Sequence, residues 1–120
     1  MNILFFGNAS FGIPTLEKLL ASDNNLISVV TNKDNKSGRG KTLRSSPIKA
    51  WCIKNNTSLI EENDMLSKSF TERINQLQPD LIIVIAFKIL PESIFTIPKY
   101  GTMNLHASLL PAYRGAAPIQ

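Results

Sequence analysis

At 120 residues the chain is the size of one domain, and its 43% hydrophobic and 18% charged residues are those of a globular protein. No apolar stretch approaches the roughly 20 residues of a membrane-spanning helix, and the amino terminus lacks the basic start and apolar core of a secretory signal. The single cysteine, Cys52, excludes an internal disulfide framework or a cysteine metal cluster, so a cytoplasmic protein with no membrane contact and no metal is expected.

The net charge of +4 is unevenly distributed. Between residues 33 and 49, Lys33, Lys36, Arg39, Lys41, Arg44 and Lys49 face one acid, Asp34, so this segment alone carries +5. One stretch makes the protein basic.

In chain order, Asn2 to Phe6 is a short apolar run broken by Gly7-Asn8-Ala9-Ser10-Phe11-Gly12. Ile13, Leu16, Leu19 and Leu20 then recur at helical spacing, with Pro14 in the first turn, where proline is tolerated. Strand, glycine-bearing turn and helix are the opening of a Rossmann-like unit. The turn departs from G-x-G-x-x-G, and no acidic residue stands directly at the end of the second run. Its glycines therefore read as a tight turn rather than a dinucleotide site.

Leu26 to Thr31 is a second β-rich run. Asn32 to Ser46 is polar, basic and without hydrophobic period, a loop too long for an ordinary β–α connection and so a candidate for function. Ser46-Pro47 reads as the N-cap and first residue of a helix whose apolar face holds Ile48, Trp51 and Cys52, with Trp51 as packing. Leu59 and Ile60 suit a short third strand.

Leu66, Phe70, Ile74 and Leu77 predict an amphipathic helix from about Met65 to Gln78, stopped by Pro79. Leu81 to Ala86 is nearly continuous apolar sequence, as in a parallel strand covered on both faces. Phe87 to Pro91 leaves it as a turn, Glu92 to Pro98 crosses over, and Tyr100 onward begins a last strand ending near Asn104. The alternation predicts an α/β fold, a Rossmann-like doubly wound, mostly parallel sheet flanked by helices. Ligands of such sheets bind beyond the carboxyl ends of the strands, where strand order reverses. With the first strand central, that crevice falls between the Gly7–Gly12 and Phe87–Pro91 turns, with the segment 104–111 reaching it.

Asn104 and His106, the only histidine, are two residues apart at a strand end and so share a face. An amide beside an imidazole can stabilise negative charge developing on a carbonyl oxygen. Read by spacing alone, the same residues equally describe a buried histidine followed by a proline-anchored loop. The longer string decides between the two. Asn104-x-His106 followed by Ser108-Leu109-Leu110-Pro111-Ala112-Tyr113-Arg114-Gly115 closely resembles the signature of the folate-dependent formyltransferases. The resemblance implies transfer of a formyl group from 10-formyltetrahydrofolate to an amine, without a metal. It implies Asn104 and His106 as catalytic residues. Phe87, Lys88, Ile89, Leu90, Ser108, Leu109, Leu110 and Pro111 would lie along the folate. Leu109 and Leu110 suit either a folate wall or simple core, and Arg114 suits a loop-holding role better than a phosphate contact.

Gly38-Arg39-Gly40-Lys41 followed by Ser46-Pro47-Ile48-Lys49 is similar to the basic loop of the family members that act on methionyl-tRNA, which engages the acceptor stem of the initiator tRNA. Lys36, Arg39, Gly40, Lys41 and Arg44 are the tRNA-binding residues this implies. Clustered cations suit RNA independently, since they neutralise phosphates and release counterions. The family's third catalytic residue, an aspartate, follows the Asn-x-His segment, and Asp23, Asp34, Asp64 and Asp80 all precede it. The resemblance therefore puts that aspartate beyond Gln120. Residues 1–120 are accordingly expected to be the N-terminal portion of the catalytic domain, its sheet incomplete at the C-terminal end, without the C-terminal β-barrel that assists tRNA binding. A fragment that binds folate or RNA without catalysis, and a relative acting on a sugar or nucleotide amine, are the alternatives.

Overall fold

The computed structural model describes residues 1–37 and 42–105. In chain order it comprises β1 (Asn2–Gly7), a 3-10 turn (Ser10–Gly12), α1 (Ile13–Ala21), β2 (Asn25–Thr31), β3 (Asn35–Ser37) and β4 (Thr42–Arg44). There follow α2 (Pro47–Lys54), β5 (Leu59–Glu61), α3 (Lys68–Leu77), β6 (Leu81–Ile85), α4 (Glu92–Phe95) and β7 (Thr102–Leu105).

Five strands form one sheet in the order β5-β2-β1-β6-β7, every neighbouring pair parallel. The two most apolar runs are adjacent inside it: Phe5 pairs with Ile83, Phe6 with Val84 and Gly7 with Ile85. Because side chains alternate along a strand, each run supplies both faces at once. Ile3, Phe5, Val29, Ile83 and Ile85 pack beneath Leu16 of α1 and Ile48, Trp51 and Cys52 of α2. Leu4, Phe6, Val30, Ile82 and Val84 pack against Phe70 and Ile74 of α3 and Ile94 of α4. The result is a helix–sheet–helix sandwich, as continuous apolar runs require when both faces must be covered. Trp51 is the packing residue its spacing indicated, and its indole N–H donates to Glu17 Oε2 at 3.0 Å, tying α2 to α1.

Local signals act where expected. The Ser46 hydroxyl accepts the Lys49 N–H at 3.0 Å, and Pro47 opens α2 behind it. Gly7 is required by proximity: a Cβ there would sit 2.8 Å from the Ile85 carbonyl oxygen.

Four local expectations need correction. The stretch 32–46 is not wholly irregular, since β3 and β4 form an antiparallel hairpin in the register Asn35↔Arg44, Lys36↔Leu43 and Ser37↔Thr42. Such pairing is made by backbone and leaves no hydrophobic period to read. The third helix begins at Lys68 rather than Met65, because the Ser67 hydroxyl caps it by accepting the Phe70 N–H. Leu66 thus falls outside the helix and is 73% exposed, while Met65 is buried. Leu20 is likewise on the outer side of α1, half exposed, leaving Leu16 as the buried anchor of that helix. The 92–98 crossover holds a short helix, α4, whose Ile94 enters the core.

Candidate active site

After β1 the chain moves to β2 on one side; after β5 it returns to β6 on the other. The loops leaving β1 and β6 therefore diverge, and a crevice opens at the carboxyl end of the sheet between them. Two depressions flank this seam.

The first lies at the ends of β6 and β7 and is lined by Val84, Ile89, Leu90, Phe95, Thr102 and Asn104, with a volume of about 210 Å³. Its making begins at Ala86, the residue after β6, which takes φ +52°. A left-handed alanine costs roughly 1–2 kcal/mol, and such strain concentrates where function needs a particular path. The chain turns sharply there. Phe87 packs edge-on to Phe6, centroids 5.6 Å apart, and Lys88 Nζ donates to the Asn63 carbonyl at 2.6 Å. Ile89 and Leu90 reach the cavity, Leu90 buried and Ile89 88% exposed at its rim. On the far side, Asn104 pairs in register with Val84 and so shares that strand residue's face. The Thr102 hydroxyl donates to the Phe95 carbonyl at 2.9 Å. Asn104 is exposed, lines the cavity beside Thr102, and makes no side-chain hydrogen bond to the described residues.

The second depression, about 380 Å³, lies at the ends of β1 and β2 and is lined by Asn8, Ala9, Asn32, Lys33, Asn35, Ser45, Ser46 and Pro47. Its floor is a reciprocal amide pair. Asn8 Nδ2 donates to Asn32 Oδ1 at 2.9 Å, and the Asn32 backbone N–H donates to Asn8 Oδ1 at 2.9 Å. Asn32 Nδ2 in turn donates to the Glu62 carbonyl at 3.3 Å. The turns after β1, β2 and β5 are thereby locked together at the base of the β3–β4 hairpin.

A family model described as "Formyl transferase" matches residues 1–120. The chain belongs to the formyl transferase family. Among its relatives, methionyl-tRNA formyltransferase of Fusobacterium nucleatum is 44% identical over 120 residues, covering 99% of the chain and 38% of the relative. The protein of that name from Clostridioides difficile is 44% identical over 120 residues (99% of the chain, 39% of the relative). The one from Prochlorococcus marinus is 45% identical over 122 positions (100% and 36%). The chain thus spans well under half the length of the curated relatives it matches.

The sequence-derived residues distribute as follows. Asn104 stands on β7 at the cavity, and of the Phe87–Leu90 group Ile89 and Leu90 line it, whereas Phe87 faces the core and Lys88 the Asn63 turn. The side chains of Phe87 and Lys88 thus have partners away from the cavity, while their backbone belongs to the same turn as Ile89 and Leu90. Lys36 lies on β3 and Arg44 on β4. His106, Ser108, Leu109, Leu110, Pro111, Tyr113 and Arg114, and likewise Arg39, Gly40 and Lys41, lie outside the described residues. So does Gln120, the position beyond which the third catalytic aspartate is expected, and the described residues accordingly contain no candidate for it after Asn104. Val84, Phe95 and Thr102 were missed as cavity residues, since none of them carries a motif. Asn8 and Asn32 were missed too, though a polar amide directly after each of two apolar strands was a legible signal.

Among the described residues no group of three or more His, Cys, Asp or Glu could hold a metal ion, and no helix is long and apolar enough to cross a membrane. Burial pushes the Cys52 thiol up to about 11, so it is no nucleophile at neutral pH.

Proposed function

We propose that residues 1–120 are the N-terminal portion of the catalytic domain of a cytoplasmic methionyl-tRNA formyltransferase. In this reading the enzyme transfers a formyl group from 10-formyltetrahydrofolate to the α-amine of methionyl-initiator tRNA. The observation that carries it is one amide, Asn104, at an apolar cavity on the carboxyl end of the sheet of a formyl transferase. An apolar wall of Val84, Leu90 and Phe95 with a polar edge suits a flat heteroaromatic ring better than a sugar or a charged group. The relatives, methionyl-tRNA formyltransferases, support the acceptor.

Attack of the neutral amine on the formyl carbon places negative charge on the formyl oxygen, and collapse of that adduct breaks the bond from the formyl carbon to the folate nitrogen and releases tetrahydrofolate. Asn104 would donate its amide N–H to that oxygen, with His106 beside it in sequence to share the charge and move the proton. The Phe87–Leu90 turn, with Ser108 to Pro111, would lie along the folate. The basic segment, through Lys36, Arg39, Gly40, Lys41 and Arg44, would meet the acceptor stem. The rest of the catalytic domain, with an aspartate beyond Gln120 that orients the histidine, and a C-terminal β-barrel domain would complete the enzyme.

The test is formylation of methionyl-initiator tRNA with 10-formyltetrahydrofolate, by the 120-residue chain and by the chain extended to the length of its relatives. Activity in the extended form alone supports the reading. Folate or tRNA binding with turnover in neither would make this a binding module, and turnover only with a sugar or nucleotide amine would replace the acceptor.

A further inference from the structure

Lys49 occupies an unusual position. It is the third residue of α2, behind the Ser46 cap, where the positive end of the helix favours a carboxylate and where Glu is the usual partner of a serine cap. A lysine there works against its own helix, and a local conflict of this kind calls for a gain elsewhere. The gain is visible. The ammonium lies 2.7 Å from Asp34 Oδ2 in a hydrogen bond, and 2.9 Å from Glu61 Oε2 as a charge contact without hydrogen-bond geometry.

The partners come from three segments. Asp34 is on the stem that leads into the β3–β4 hairpin, and Glu61 ends β5 in the main sheet. Asp34 Oδ2 also accepts the hydroxyl of Ser45, on the returning stem, at 3.3 Å. One ammonium therefore joins the outgoing stem, the returning stem, α2 and the sheet. The Lys33 N–H, donating to Asn63 Oδ1 at 2.9 Å, ties the outgoing stem a second time.

The charge count gives the pairing a further consequence. Asp34 is the only acid between residues 33 and 49. Once it is held by Lys49, the sequence from 33 to 49 offers no second acid to set against Lys33, Lys36, Arg39, Lys41 and Arg44. Lys49 itself is correspondingly withdrawn from the cations available to a phosphate.

We propose that Lys49 is the positioning residue of the basic hairpin, fixing how β3 and β4 leave the sheet and sequestering the segment's one carboxylate. Its use in presenting cations to RNA rests on the tRNA reading above; the anchoring does not.

The experiment uses the 120-residue chain as wild type, Lys49→Met, Lys49→Arg and Asp34→Asn. Backbone amide exchange is read at the β3–β4 pairs, with the amides of β1, β2 and β6 as internal control, and initiator tRNA binding is measured across a salt series. In Lys49→Met, protection of the hairpin amides should fall about tenfold while the central strands keep theirs. Arginine should restore it. Asp34→Asn, which leaves α2 unaltered, should repeat the loss should Lys49→Met fold poorly. Affinity for tRNA should weaken about threefold to tenfold with the salt slope unchanged, whereas loss of a direct phosphate contact would lower the slope by about one. Equal hairpin exchange in wild type and both unpaired variants overturns the anchoring. A slope reduced by about one with hairpin exchange unaltered makes Lys49 an RNA ligand instead. No tRNA binding by any form sinks the RNA reading alone, and the exchange result then decides the anchoring by itself.

Discussion

Replacing Gly7 by alanine tests the seam on which the candidate site is built. The added Cβ would lie 2.8 Å from the Ile85 carbonyl oxygen and 2.8 Å from Phe5 Cε1. Both distances are several tenths of an ångström inside ordinary carbon contacts of about 3.5–4 Å. Phe5 can tilt, but Ile85 O belongs to the backbone of β6 and cannot retreat without loosening the pairing of Gly7 with Ile85. Overpacking of this kind costs roughly 1–3 kcal/mol. Gly7 is not among the positive-φ residues, so alanine also restricts the unfolded chain and returns about 0.4–1 kcal/mol. The net expectation is a loss of about 1–2 kcal/mol, or about 4–10 °C in Tm for a chain of this size. Thermal and urea unfolding of the two proteins measures it. A Gly7→Ala protein that melts within 1–2 °C of wild type, in the range of ordinary surface changes, would refute the steric argument.

Three further outcomes are expected. Asn8→Ala removes both halves of the pair with Asn32 and should cost about 1–3 kcal/mol in urea unfolding; an unchanged midpoint would mean that water replaces the amide at no cost. In the enzyme extended to the length of its relatives, Asn104→Ala should lower kcat by about 10²–10³-fold with a smaller change in the KM for folate, and steady-state kinetics would reveal the opposite split if Asn104 only lined the cavity. Cys52 has a folded pKa of about 11, raised by burial from 9.0. Its contribution to stability is therefore full below pH 9.0, is lost as pH rises toward about 11, and should vanish from the alkaline unfolding profile of Cys52→Ala. Lys49, its pKa raised first by the hydrogen bond to Asp34 and then by Glu61, adds a loss of the same sign above 10.5 that remains in that variant.

Local sequence determined much of this protein. Continuous apolar runs at residues 3–6 and 82–85 needed both faces covered, and that alone selected central parallel strands. Ser46-Pro47 and Gln78-Pro79 marked a helix start and stop because capping and the missing proline N–H act within a few residues. The formyl transferase signature was legible because its residues are contiguous. What tertiary structure decided has one physical cause, the meeting of groups far apart in the chain. Asn104 was visible by motif, but its cavity is assembled from β6, the turn behind Ala86, α4 and β7. Lys49 looked like one cation among six until Asp34 and Glu61, fifteen residues before it and twelve after, closed on its ammonium. Leu66 fitted a helical stripe by period, yet a serine hydroxyl one residue later set the helix start and left it in solvent. The hairpin was hidden for the same reason, since backbone pairing across its turn has no side-chain period to betray it.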